Sequence, residues 1–526
     1  MKRKCVATIL ITLTCAALCF SGIVITHNRK DPLHTSNDSL PLTDIRETFT
    51  FLLKTDTELQ QLCDGNLNNS FFYQELEERT NIHIDWLSSL DTLKVRYRFN
   101  QDTENIPDLI SINCFTEVYG NISLDEAIDN GDILDLTELV PKYAPNYYRI
   151  IQKPSLKHLA YTEEDRIGSI YSIKQESQKP WAGLQIRKDW LDELNLDIPV
   201  TYEDWEIVLT AFKEEKGASA PFTLPSIGYT MDDSINAGFQ VSHGFFQIDG
   251  EVRYGPCQDE WLEYLTLMNR WYQKGLIDPN YMTDSSSYCR SESILSGSTG
   301  AWYGMYTLPS TVSKSDPSIE IVAVKPPRLR EEDKLHIRSK YSVSDNALCI
   351  TSACQNPGLA LQWIDYLFSE EGSLFANYGV EDETYRLDKN GNPVFTDQIL
   401  NNPDGLSFTQ ALKMHTFSPG LPSAYLDWKR EFQSIPPSDI IMCDVWNSTA
   451  SDYMLPSDLS FTSKERTRLS EIMEKAGSCM QNYTTTFITG ITPLSDYRTY
   501  LQKMEEYGID EAVQIYQQAY ERYLSK

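Results

Sequence analysis

Hydrophobic and polar positions follow two periods along this chain, and the places where the period changes predict an alternation of strands and helices. The clearest such stretch runs from Trp181 to Phe212. Gly183-Leu184-Gln185-Ile186-Arg187 alternates apolar and polar, as a half-buried strand does. Lys188 to Leu194 changes to helical spacing, with Trp190, Leu191 and Leu194 on one face. Pro199 stops any continuation. Thr201 and Asp204 then sit at capping-box spacing, with Asp in place of the usual Glu or Gln. Trp205, Val208, Leu209 and Phe212 recur as the buried stripe of the helix that follows.

The same reading applies elsewhere. Glu47–Leu53 and Ile82–Trp86 read as strands, with a helix over Ser70–Arg79 between them. This βαβ opening predicts parallel strands joined by helical crossovers. Pro107 to Ile112 is a nearly continuous apolar run, as in a strand buried on both faces. Asn113, Cys114 and Phe115 follow at its C-terminal end, the edge where open α/β sheets bind ligands. Asp259–Lys274 predicts a helix with Trp261, Leu262, Leu265, Met268 and Tyr272 inward, broken by Gly275. Asp249-Gly250 and Asn390-Gly391 predict type I′ hairpin turns.

At 526 residues the chain has room for two or three lobes with separate cores. Its 75 acidic and 46 basic residues leave a formal charge of −29, which argues against nucleic acid and against broad contact with anionic lipid. Aromatic residues make up 11 %, a richness that serves cores as well as carbohydrate or peptide platforms. Met1-Lys2-Arg3-Lys4 precedes an uncharged stretch from Cys5 to Ile25, so residues 1–30 read as an export signal or N-terminal membrane anchor and 31–45 as a linker. The body then lies outside the cytoplasm, at the outer face of the membrane. Eight cysteines remain beyond this segment, scattered without Cys/His zinc spacing, and read as mostly free, buried thiols.

WAGLQIRKDWLDELNLDIPVTYEDW resembles the signature of family 1 extracellular solute-binding proteins of the LplA-like branch. Similar likeness runs through Gly131–Leu136 with Tyr143–Asn146, LMNRWYQKGLIDPNY, ILSGSTGAWYGM, QNPGLALQWIDYLFSEEGSLFANYGVE and the C-terminal stretch from Phe487 to Tyr523. The resemblance implies a two-lobed α/β fold of the type II periplasmic-binding-protein kind, each lobe a mixed, largely parallel sheet flanked by helices. Lobe 1 would comprise residues 46–175 and 346–415, and lobe 2 residues 176–345 and 440–526, with 416–439 as a crossover. Hinge crossings are expected near Tyr171–Pro180, Ser342–Ala347 and Thr416–Asp439. It further implies a monomer that captures a solute, foremost an oligosaccharide or sugar derivative, and delivers it to ABC permease subunits. Members usually carry a lipidated cysteine after a small residue. Here Cys15 follows Thr14 and Cys19 follows Leu18, so an anchor is favoured over lipidation. Many members also bind calcium in an Asp/Asn-rich loop after the Thr201 helix. Glu214–Pro221 has no such ladder, so no metal and no cofactor are expected.

In sugar-binding members an aromatic after the Gly-rich turn stacks on a sugar face, which points to Trp302 and Tyr303 as ligand residues. Arg187 could grip a ligand bidentately or pair with one of the many acids. Trp181 at the hinge, Phe115 at the strand edge and Trp446 in DVWNSTASDY complete the candidates. None of the seven histidines has HExxH spacing, Gly297–Gly300 is no GxSxG elbow, and no phosphate loop occurs, so no catalytic residue is assigned and no enzyme is expected. The competing readings are a binding protein for peptides or other non-sugar solutes and a surface sensor without transport.

Overall fold

The computed structural model describes residues 40–525 apart from 56, 89–105, 121, 177, 226–227, 229–232, 284–288, 339–343 and 419–420. The expected signal or anchor over 1–30 and most of the linker lie outside the described residues. Among those described, no helix is long and apolar enough to cross a membrane.

The chain opens with β1 (Glu47–Leu53), α1 (Phe71–Thr80) and β2 (Ile82–Ser88). Ser70 caps α1 by accepting the Tyr73 amide at 3.2 Å, and Asn81 ends it in the left-handed region at φ 60°. β1 and β2 are parallel, with Phe51 opposite Trp86. β3 is only Leu109–Ser111, shorter than the apolar run suggests. The cause is local: Ser111 accepts the Cys114 amide at 3.4 Å, so helix α2 (Ile112–Tyr119) starts at the next residue.

Helices α3 (Leu124–Asn130) and α4 (Pro154–Ala160) follow, then β4 (Ile170–Lys174). After the excursion through the second lobe, β11 (Ser344–Ile350) and β14 (Tyr425–Leu426) complete a six-stranded sheet in the order β14-β4-β11-β3-β1-β2. β11 alone runs antiparallel to its neighbours, so the other five strands end at one edge.

The second lobe starts with β5 (Ala182–Arg187), α5 (Lys188–Leu194) and α6 (Tyr202–Glu215). The Thr201–Asp204 capping box is formed in both directions, and hydrogen bonds to the Thr201 and Val200 amides hold the Asp204 carboxyl below its usual range despite partial burial. Trp205, Val208, Leu209 and Phe212 are buried as the stripe predicts.

β6 (Phe222–Thr223), β9 (Ala301–Met305) and β10 (Ile321–Ala323) join β5 in the order β10-β5-β9-β6. Antiparallel pairs predominate here, in contrast to the largely parallel expectation. β5 runs out from the lobe junction, and both of its neighbours run back toward it. Helices α7 (Asp259–Gln273), α12 (Ser463–Thr489) and α13 (Ile509–Ser525) share the core of this lobe with α6. α8 (Ser291–Leu295), α9 (Leu308–Ser315) and α11 (Pro437–Asn447) cover the other side of the sheet.

The lobes have separate cores. One gathers Phe51, Phe72, Tyr147 and Trp363 of α10 (Pro357–Tyr366), and the other Trp205, Phe212, Trp261 and Trp271. Of the two hairpins, β7 (Phe245–Ile248) and β8 (Glu251–Tyr254) turn at Asp249 and Gly250, both with positive φ as a type I′ turn requires. β12 (Tyr385–Leu387) and β13 (Pro393–Phe395) differ from expectation. In their connection only Gly391 has positive φ, and the Asp388 carboxylate organises the loop by accepting the Asn390 and Asn392 amides, each at 2.8 Å.

Candidate functional site

A groove of about 620 Å³ separates the lobes. Its lobe 1 wall is α3 and the segment 158–164, its floor includes Tyr171 and Ser344 of β4 and β11, and its lobe 2 wall is the segment 457–466 leading into α12. Thr462 positions that wall: its side chain caps α12 by accepting the Glu465 amide at 3.3 Å, while Glu465 accepts the Thr462 amide at 2.8 Å.

The lobes meet along one rim of the groove. The Ser123 amide donates to Ser463 Oγ at 2.9 Å, Ser460 donates to Glu163, and the rings of His158 and Tyr523 lie 4.1 Å apart. Arg522 Nε lies 3.2 Å from Glu163 of lobe 1, while its Nη1 and Nη2 donate to Glu465 of lobe 2 at 2.9 and 2.7 Å. Burial acts to raise the Glu465 pKa, but Arg522 and the helix cap more than offset it and hold the carboxyl low.

Arg166 is likewise committed, to Asp125 at 2.9 Å, Asp129 at 2.7 Å and Glu164 at 2.9 Å. Arg466 differs: its Nε donates to the Phe461 carbonyl at 3.0 Å, and it forms no ion pair among the described residues. It sits across the groove from Tyr171, whose phenol pKa burial raises.

A smaller hollow of about 70 Å³ opens at the junction end of β5. Gly183, Tyr303, Arg338, Trp446 and Thr449 line it. The loop 448–462 contributes to both hollows. Trp446 Nε1 donates to the Leu184 carbonyl at 3.0 Å, and Arg338 Nε to the Thr449 carbonyl at 2.9 Å.

Beside them the buried Asp233 carboxylate accepts from Asn236 Nδ2 at 2.8 Å, the His243 amide at 2.8 Å and Ser242 Oγ at 3.2 Å, with His243 Nδ1 at 2.9 Å. Burial alone would raise its pKa, yet the His243 charge and these hydrogen bonds bring it below the usual range.

Of the six residues expected from sequence, Tyr303 and Trp446 line the smaller hollow, and Trp181 is 40 % exposed at the junction. Three stand elsewhere. Trp302 is completely buried: it points from β9 into a cluster with Ile294, Val312 and Ile319, and donates to Gln185 Oε1 at 2.9 Å. Strand alternation separates it from Tyr303.

Phe115 is inside lobe 1 against Leu52, Ile110 and Cys349, because α2 begins early enough to turn it into the core. Arg187 occupies the end of β5 away from the junction, bonded through two nitrogens to Asp189 and lying 4.4 Å above the Trp190 ring. Tyr171, Arg466 and the segment 457–463 were not among the candidates. The Thr462–Glu465 capping pair was the available signal for the last.

Two α/β lobes on separate cores, linked by repeated crossings and parted by a groove that both line, define the fold of the substrate-binding proteins of ABC transporters. The chain is 23 % identical over 506 residues to the fructooligosaccharide ABC transporter substrate-binding protein FusA of Streptococcus pneumoniae serotype 4, covering 90 % of each chain. The structure of FusA in complex with kestose superposes with a TM-score of 0.69 at 20 % identity, over 91 % of this chain and 99 % of that one. The alginate-binding protein AlgQ2 without calcium ion gives 0.68 at 19 % identity, over 91 % and 99 %. These likenesses agree with the family 1 solute-binding resemblance in the sequence. No family model matches the chain.

Proposed function

We propose that this protein is the extracytoplasmic binding component of an ABC importer, and that it captures an oligosaccharide between its lobes and passes it to membrane permease subunits. The observation that carries this reading is the groove of about 620 Å³ walled by both lobes, within the range of roughly 300–1,000 Å³ usual for small-molecule sites. Ligand contacts from both walls favour the closed arrangement over an open one, which couples capture to closure. Tyr171 offers a ring face, Arg466 offers uncommitted N–H groups from the opposite lobe, and Tyr303 extends the surface beside the 448–462 loop, while Trp446, buried with its indole bonded to the Leu184 carbonyl, backs that surface. The groove collects solute without chemical change, and the N-terminal segment holds the protein at the membrane.

Titration calorimetry of the full-length protein against kestose and other neutral oligosaccharides tests the reading. Saturable binding is expected, weakened about tenfold by Tyr171→Ala or Arg466→Ala. Binding to peptides and to no glycan overturns it.

A further inference from the structure

We infer that the inter-lobe groove selects uncharged glycans and rejects chains built of uronic acids. This deepens the transport reading and rests on it. The fold neighbours divide on this point of chemistry: kestose is a neutral oligosaccharide, whereas alginate bears a carboxylate on every sugar.

The described wall decides between them. Six carboxylates, from Asp125, Glu126, Asp129, Glu163, Glu164 and Asp458, line the groove with two cations, Lys464 and Arg466; four of the six pair with Arg166 or Arg522, and with those guanidiniums and Glu465 included seven acids stand against four cations, which leaves the wall net negative. Arg166 and Arg522 lie beside it, but their guanidinium groups are spent on three and two carboxylates respectively. Recognition of a uronate uses a guanidinium free to bond bidentately. Only Arg466 among the described lining residues meets that condition, and one arginine does not balance a ligand charged at each sugar. Every further ligand carboxylate would lose hydration and stand among like charges in a region of reduced dielectric.

A neutral polyol meets the opposite conditions. Its hydroxyls donate to carboxylate oxygens, and the wall adds hydroxyl groups from Ser457 and Thr462. The formal charge of −29 adds long-range repulsion of polyanions at the approach.

The test compares kestose with trigalacturonate by calorimetry on the full-length protein, at low and high salt. Kestose is expected to bind about tenfold or more tightly than trigalacturonate, with the gap narrowing as salt screens the wall. The double variant Glu164→Gln/Asp458→Asn is expected to narrow the gap at low salt. Tighter binding of trigalacturonate, or a gap indifferent to both salt and the double variant, overturns the inference. If neither sugar binds while a peptide does, the transport reading fails and takes the inference with it. Binding of other neutral glycans without kestose leaves that reading standing, and the comparison then passes to the neutral glycan that binds and the uronate of equal length.

Discussion

The indole of Trp446 lies directly on the backbone of Gly183: a Cβ at that glycine would stand 2.6 Å from three atoms of the ring. The same indole donates to the neighbouring Leu184 carbonyl at 3.0 Å. Helix α11, the first element of lobe 2 after the last crossing, is thereby fixed to the junction end of β5. Gly183→Ala is expected to force the ring away and cost about 1–3 kcal/mol in chemical denaturation. Trp446→Ala leaves a cavity and should cost about 3–5 kcal/mol. Equal stability of Gly183→Ala and the parent would show that the contact can relax without loss.

Trp302 and Tyr303 are neighbours in sequence and opposites in role. Trp302→Ala removes a fully buried side chain and is expected to lower stability by about 3–5 kcal/mol. Kestose affinity of the fraction that remains folded should stay near that of the parent. Tyr303→Ala should show the reverse, weaker binding with a smaller change in stability. Calorimetry beside urea unfolding separates the two, and a Trp302 variant that folds normally but loses binding would contradict its assignment to the core.

The Glu163–Arg522 contact crosses between lobes, whereas Arg468 and Glu511 join α12 to α13 within lobe 2 at 2.7–2.8 Å. Glu163→Gln should therefore shift the lobes toward the open form and enlarge the radius of gyration of the ligand-free protein in X-ray scattering. The energetic change is expected to be about 1 kcal/mol, since the pair is partly exposed. Glu511→Gln, the control, should leave the radius unchanged. Identical scattering from the two variants would remove Glu163 from any part in closure.

Asp233 gives a dependence on pH. Its folded pKa lies below the ordinary value, so its contribution to stability is complete above about pH 3.9 and is lost as pH falls through the folded value. Asp233→Asn should destabilise the protein by about 3 kcal/mol at pH 7. The difference from the parent should shrink on acidification below about pH 4. A constant difference across that range in urea unfolding would rule out the charged pair with His243 as its source.

Much of the local structure was legible from residue order. The β5–α5–α6 unit and its capping box follow from spacing alone, because alternation, a proline and a Thr-x-x-Asp pair act within a few residues of one another. Trp302 shows where that reasoning stops. Two adjacent aromatics after a glycine turn look equivalent until the strand's facing is known, and the facing depends on α8 and α9 packing over one side. Arg187 was misplaced for a related reason: the strand could be read, but not which end met the junction. Tyr171 and Arg466 line one groove from different lobes, and nothing in residue order brings two such distant positions together. The length of β3 turned on a serine that caps a helix more effectively than it extends a strand.

The position of β11 also bears on how the chain matures. It lies between β3 and β4, yet it comes after most of the second lobe in sequence, and β14 comes later still. A polypeptide emerging N-terminus first therefore presents β3 and β4 with no partner to bridge them until residue 350 has followed. The first-made lobe must wait while the first stretch of the second is made, and its exposed strand edges need shelter from aggregation during that interval.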